Sequence, residues 1–382
     1  MKTKSKTRDR NILLYADSES DANVLYATRF FCPDPFIFIR TAAGRRIYVM
    51  SDLELDRART QSNAHTVLSL AKYTKLAKDR CSRTPRTEDV IAEVLRDLKI
   101  RGVSVPSNFP VGVADGLRKN GIHVTAVPDP FFTQRLYKSD DEIKSIRKTM
   151  KATEDGLRAA MEVLRKSSIQ NGWVYYRNKR LTAESLREVI NGTIFDQGCV
   201  PAHTIVAPGK EGCDPHNTGS GPVRAHSPVI FDVFPRSEKT GYYADITRTV
   251  VKGKAPEEVL RMYRAVKAGQ ALGLNMLRDG AKTRPIHQAI MDLFERRGFK
   301  TGNIDGRLQG FFHGTGHGLG LEIHEPPRIA LNDLVLAKGM VVTVEPGMYY
   351  WPIGGMRIED TVVVTKTGYK NLTRFPKTLE IK

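Results

Sequence analysis

Cysteine is scarce. Four residues, Cys32, Cys81, Cys199 and Cys213, are scattered through 382 without CxxC spacing. That suits a reducing compartment and leaves no thiolate zinc site, so Cys213 is expected to be a buried structural thiol. Long apolar runs are missing as well, with none near the roughly 18 to 20 residues that span a bilayer. The basic amino terminus, MKTKSKTRDRNILLYADSES, has too short an apolar stretch for a signal peptide, so a cytoplasmic protein is expected. There is no periodic repeat, no low-complexity tract and no HExxH pair, which excludes a thermolysin-type mononuclear site. Acidic residues number 42 against 60 basic ones, a net charge of +18. The excess is +8 in residues 1–135 and +10 in 136–382, so it is spread along the chain. No RNA-binding, C2H2 or basic-zipper pattern accompanies it, and aromatics do not interleave with the basic residues. A solvated basic surface is therefore expected in place of a nucleic-acid site.

Strand and helix signals alternate in the first third. NILLYA, FIFIRT and RRIYVMSD within 12–50 read as strands, and Val90, Ile91, Val94, Leu95 and Leu98 mark a helix over 87–102. A strand at 102–105, a helix around 111–121 and a strand at 122–127 follow, which is the pattern of an α/β module. At Ser139 the character changes. SDDE is a capping box, and Ile143, Ile146, Met150, Leu157, Met161 and Leu164 trace a long amphipathic helix to about residue 166. The expected domains are 1–135, α/β, and 136–382, α+β, with further helices at 183–197, 256–279 and 284–297.

Carboxylates and histidines with metal-binding capacity fall on strand-like sequence in the second half. Asp232 and Asp245 lie in successive apolar runs joined by PRSEKTG, so a hairpin would set them side by side. Glu345 ends a β-branched run before Pro-Gly, and Glu359 opens another. GFFHGTGHGLGLEIHEPP, residues 310–327, holds His313, His317 and His324, three of nine histidines, separated by glycines that a helix would not tolerate. Burying one ionised carboxylate costs several kcal/mol unless it is paired or binds metal. Four of them with an imidazole suit two hard or borderline ions such as Mn, Co or Zn.

These residues resemble the pita-bread metallopeptidases, the family of methionine aminopeptidase, aminopeptidase P, prolidase and creatinase. The family's Asp, Asp, His, Glu, Glu series matches Asp232 and Asp245 in FDVF…GYYADITRT, His317 in GHGLGLEIHE, Glu345 in VEPGMY and Glu359 in RIEDT. The resemblance implies that Asp245 and Glu359 bridge two divalent ions, with Asp232 on one and His317 with Glu345 on the other. It implies a pita-bread catalytic domain preceded by an α/β domain of creatinase/prolidase type, and an exopeptidase that cleaves Xaa-Pro bonds in dipeptides (prolidase) or longer peptides (aminopeptidase P). Glu345 would take the proton of the attacking water. His216, in GCDPHNTGSG, and His324 would stabilise the oxyanion or leaving nitrogen, and His313 would orient substrate. Arg357, two residues before Glu359 on the same strand face, is expected to make a supporting salt bridge behind the ligands; the alternative is that it holds a ligand carboxylate or the substrate. A homodimer or higher oligomer is implied, with no membrane partner. Two features depart from the family: DVF replaces its DxG, and the two aspartates stand two residues farther apart. A methionine aminopeptidase-like enzyme is the same-class alternative, and a non-catalytic pita-bread scaffold for protein or nucleic acid the different-class one.

Overall fold

A computed structural model describes residues 10–382. The chain divides into two compact units, one ending at Arg135 and the other running Leu136–Lys382.

The first unit is built on a six-stranded sheet. Its order is Thr66–Ser69, Arg46–Met50, Phe36–Arg40, Ile12–Ala16, Gly102–Pro106 and His123–Val127. The three strands up to Met50 pair antiparallel and the outer pairings are parallel. Alternate residues enter two separate cores. Leu13, Ile37, Ile39, Ile47 and Val49 pack on one face, and Ile12, Leu14, Phe36, Phe38 and Met50 on the other. With both faces covered, the strands read as continuous apolar runs. Between the first two strands lies a helix, Ala22–Thr28, capped by Asp21, whose Oδ1 accepts from the Val24 amide at 2.8 Å. At seven residues it is too short to print a helical period in the sequence.

The second unit opens with the 27-residue helix Asp140–Lys166. Its capping box is formed: Ser139 Oγ accepts from the Glu142 amide at 3.3 Å, and Glu142 Oε2 from the Ser139 amide at 2.7 Å. Ile146, Met150, Leu157, Met161 and Leu164 are buried, as their spacing predicts. The helices Ala183–Phe195, Glu257–Met276 and Thr283–Arg296 fall where expected. Two sheets carry the site. One has the order Ile205–Pro208, Pro228–Val233, Ile246–Lys252, Glu380–Ile381; the other Glu325–Ile329, Gly316–Gly318, Val341–Val344, Asp360–Val364, Tyr369–Asn371. A separate hairpin, Gly347–Tyr350 with Gly354–Arg357, joins Glu345 to Glu359. The α+β arrangement expected for this half is thus observed. No helix among the described residues is long and apolar enough to cross a membrane.

Candidate metal centre

The five expected ligands come from strand ends that the two registers bring together. Asp232 pairs with Thr247 and Val233 with Ile246, so Asp245 lies one residue beyond the ladder, beside the first aspartate. Val344 pairs with Asp360, which sets Glu345 and Glu359 at the same end of their strands. His317 is the middle residue of Gly316–Gly318, inserted between Glu325–Ile329 and Val341–Val344. The glycines around it are sterically required. A Cβ on Gly316 would lie 1.9 Å from the Thr343 carbonyl oxygen, and one on Gly318 2.3 Å from that of Pro326.

Ligand-capable atoms of Asp245, His317 and Glu359 all lie within 4.8 Å of one another. His317 Nε2 is 3.5 Å from Asp245 Oδ2 and 3.3 Å from Glu345 Oε1. Asp232 stands outside that tight group, its Oδ2 held 2.6 Å from the Arg357 guanidinium. Arg357 therefore makes a buried salt bridge to Asp232.

Neighbouring side chains lock these groups. Thr247 Oγ1 donates to Glu359 Oε2 at 2.7 Å, and the Glu359 amide donates to the Thr247 carbonyl at 3.1 Å. Thr361 Oγ1 donates to the Asp245 carbonyl at 2.8 Å. Arg248, fully buried, donates to the carbonyls of Glu359, Phe375 and Pro376 and to Asp360. His317 Nδ1 faces the Gly318 carbonyl at 3.1 Å, which fixes the Nδ1–H tautomer. The Nε2 lone pair then points at carboxylate oxygens, acceptor against acceptor.

A divalent cation would satisfy that arrangement. Asp245 and Glu359 are 4% and 1% exposed, and each leaves one buried oxygen, Oδ1 and Oε1, without a hydrogen-bond partner; Asp232 Oδ1 is a third. Leaving such atoms unsatisfied costs about 1–3 kcal/mol each, more when charged. The donor set of four carboxylates and one neutral imidazole fits divalent ions. Residues 144–366 match metallopeptidase family M24. The chain belongs to that family. Over 346 residues, 89% of this chain and 86% of the relative, it is 29% identical to a Xaa-Pro dipeptidase of Pyrococcus horikoshii. It also resembles an uncharacterized peptidase of Bacillus subtilis, 31% identical over 65% of each chain. Among solved structures, an X-Pro aminopeptidase from Thermotoga maritima superposes with a TM-score of 0.80 at 22% identity, covering 98% of this chain and 97% of that one. The prolidase from Pyrococcus horikoshii gives 0.77 at 26%, covering 96% and 94%. The second unit is thus the pita-bread fold of M24 enzymes, which use divalent metal ions.

In this M24 centre the proton affinities are strongly displaced. Burial, then the neighbouring carboxylates, raise Asp245 and Glu359 well above the usual carboxylate range. Burial lifts Glu345 to about 7 against the opposing Arg357, with Asp232 adding to the rise. Burial, with His324 beside it, lowers His317 to about 3, so its imidazole is neutral, as a ligand must be.

The remaining expected histidines sit around this cluster. The His324 ring stands edge-on to that of His317, with centroids 4.4 Å apart. His313 Nδ1 donates to the Gly314 carbonyl at 2.8 Å, so its Nε2 accepts from the Tyr349 hydroxyl at 2.9 Å. Tyr349 in turn accepts from Arg357 at 2.8 Å. His216 is exposed, after the turn Gly209–Cys213, and its charge field reaches both His313 and His324. The sequence reading missed Tyr349, Thr247 and Arg248. Only Arg248 carried a signal, a lone cation in the apolar strand ITRTVV.

Proposed function

We propose that the chain is a two-metal exopeptidase that hydrolyses the Xaa-Pro bond at the amino terminus of dipeptides or short peptides. The observation that carries the hydrolytic reading is the cluster of Asp245, His317 and Glu359 within 4.8 Å of one another, with buried carboxylate oxygens of Asp232, Asp245 and Glu359 left unpartnered. The Xaa-Pro preference rests on likeness across most of the chain to a relative named for it.

Asp232, Asp245, His317, Glu345 and Glu359 would hold the two ions, and the mixed oxygen and imidazole donors suit Mn, Co or Zn. When bound, the ions supply Lewis acidity for the scissile carbonyl and acidify the attacking water. Glu345 would take that water's proton at Oε2, the oxygen that Thr343 does not engage. His324 and His216 donate to the developing oxyanion or to the leaving nitrogen. His313, held by Tyr349, orients the substrate. Arg357 holds Asp232 in place through its guanidinium. The four free thiols support a cytoplasmic setting. A homodimer or higher oligomer is part of the same reading.

The test is product analysis of Ala-Pro, Ala-Pro-Ala and Met-Ala-Ser incubated with the protein in Mn(II), with and without EDTA. Chelator-sensitive release of alanine from the proline peptides alone is expected, and the preferred length separates prolidase from aminopeptidase P. Faster cleavage of Met-Ala-Ser would favour a methionine aminopeptidase-like enzyme. No release with Mn(II), Co(II) or Zn(II) would overturn the peptidase reading and leave the scaffold.

A further inference from the structure

Away from the candidate metal centre, one groove is lined mainly by cations. It has a volume of about 380 Å³ and runs between the long helix Asp140–Lys166 and the segment Lys370–Arg374. Six of its nine lining residues are cationic and none is acidic: Lys144, Arg147, Lys148, Lys151, Lys370 and Arg374. The four on the helix recur three or four residues apart, which sets them on a single face. Ile143 and Leu372 supply an apolar floor.

Three of the six cations are already answered. Lys144 pairs with Asp141 at 2.9 Å, Lys151 with Asp155 at 2.6 Å, and Arg147 with Glu154 at 3.1 Å. Glu154 is only 2% exposed and also accepts the Arg374 amide, so its charge is committed to the wall. The ammonium groups of Lys148 and Lys370 and the Arg374 guanidinium have no carboxylate partner among the described residues, and all three side chains are exposed. Three unneutralised cations around one concavity repel one another and draw in a multivalent anion.

We propose that this groove binds a small polyphosphate-bearing molecule of about nucleotide size. The volume lies at the lower end of that of small-molecule sites, roughly 300–1,000 Å³. Two ammonium groups and one guanidinium fork match the several tetrahedrally arranged acceptors of adjoining phosphates. The apolar floor provides a surface for a less polar moiety attached to them. A bounded cavity with three free cations suits a compact ligand better than an extended nucleic-acid backbone, which requires a long basic track.

The experiment is calorimetric titration of the full-length protein with sodium tripolyphosphate and with ATP. The same titrations are run on the double variant Lys148→Ala/Lys370→Ala. Polyphosphate also sequesters divalent ions, and the variant separates the two effects, because it keeps every candidate metal ligand and both lysines are exposed. Expected is saturable binding to the wild type, weakened about tenfold or more in the variant, with an unchanged melting temperature and unchanged chelator-sensitive peptidase activity. Tighter binding of ATP than of tripolyphosphate assigns the floor to the nucleoside. No saturable binding of either, or equal affinity in wild type and variant, overturns the proposal. So does preferential binding of a single-stranded oligonucleotide of about 20 nucleotides that the same two substitutions abolish.

Discussion

Glu345 sits where a charge is least welcome before metal arrives, beside Asp232 and close to Asp245 and Glu359. Its folded value of about 7 lies above its ordinary 4.5, so between those pH values the folded protein holds a proton that the unfolded chain has shed. The stability of the neutral form is complete below about pH 4.5 and is lost as pH rises to about 7. Glu345→Gln removes that loss. In EDTA the variant should gain in melting temperature over wild type as pH rises from 4.5 to 7, and a constant difference would refute the buried-carboxyl assignment. Arg357 makes the converse case. Arg357→Met leaves Asp232 buried against no cation, at a cost of about 3–5 kcal/mol. Urea unfolding should show that loss in EDTA and a smaller one in Mn(II), because bound ions then face the same carboxylate. An equal loss in both would mean that no ion reaches Asp232.

Strands Gly316–Gly318 and Val341–Val344 approach so closely that one methyl group would part them. Gly316→Ala would drive a Cβ into the Thr343 carbonyl at 1.9 Å. Urea unfolding should show a loss of about 1–3 kcal/mol, with Mn(II) affinity falling alongside, because Thr343 also holds the His317 amide at 3.1 Å. Full stability with full affinity would mean the strand moves freely. Most elements here were legible in the sequence because their causes are local: a capping box at Ser139, apolar positions at helical spacing, β-branched runs before Pro-Gly. The helix Ala22–Thr28 was not, since fewer than two turns leave no period. Nor were Tyr349 and Thr247, whose places beside His313 and Glu359 are set by register between distant strands. The five candidate ligands stood out in the sequence because carboxylates in apolar runs are costly enough to demand a reason, and because their order resembles the family's series.

At the scale of the molecule, the two sheets that carry the site are tied together by Arg248, which links Ile246–Lys252 to Glu359, Asp360 and the Phe375–Pro376 carbonyls. The proposed metal ligands come from positions 232 to 359 and from both sheets, so no one sheet would hold the set. An ion that binds only the assembled state stabilises it by mass action, about 2.7 kcal/mol at a hundredfold excess over Kd. This long-range assembly also has a consequence in time. If the centre closes only after both sheets have docked, the ions would have little to grip in the transition state. Mn(II) should therefore lengthen the half-life of the folded chain in denaturant while leaving its refolding rate almost unchanged, and stopped-flow chevrons with and without EDTA measure both arms. An ion that sped refolding as much as it slowed unfolding would mean the ligands gather early. On the arrangement of strands seen here, bound metal would act as a latch on a finished fold, and losing it would shorten the protein's survival before it altered how the protein forms.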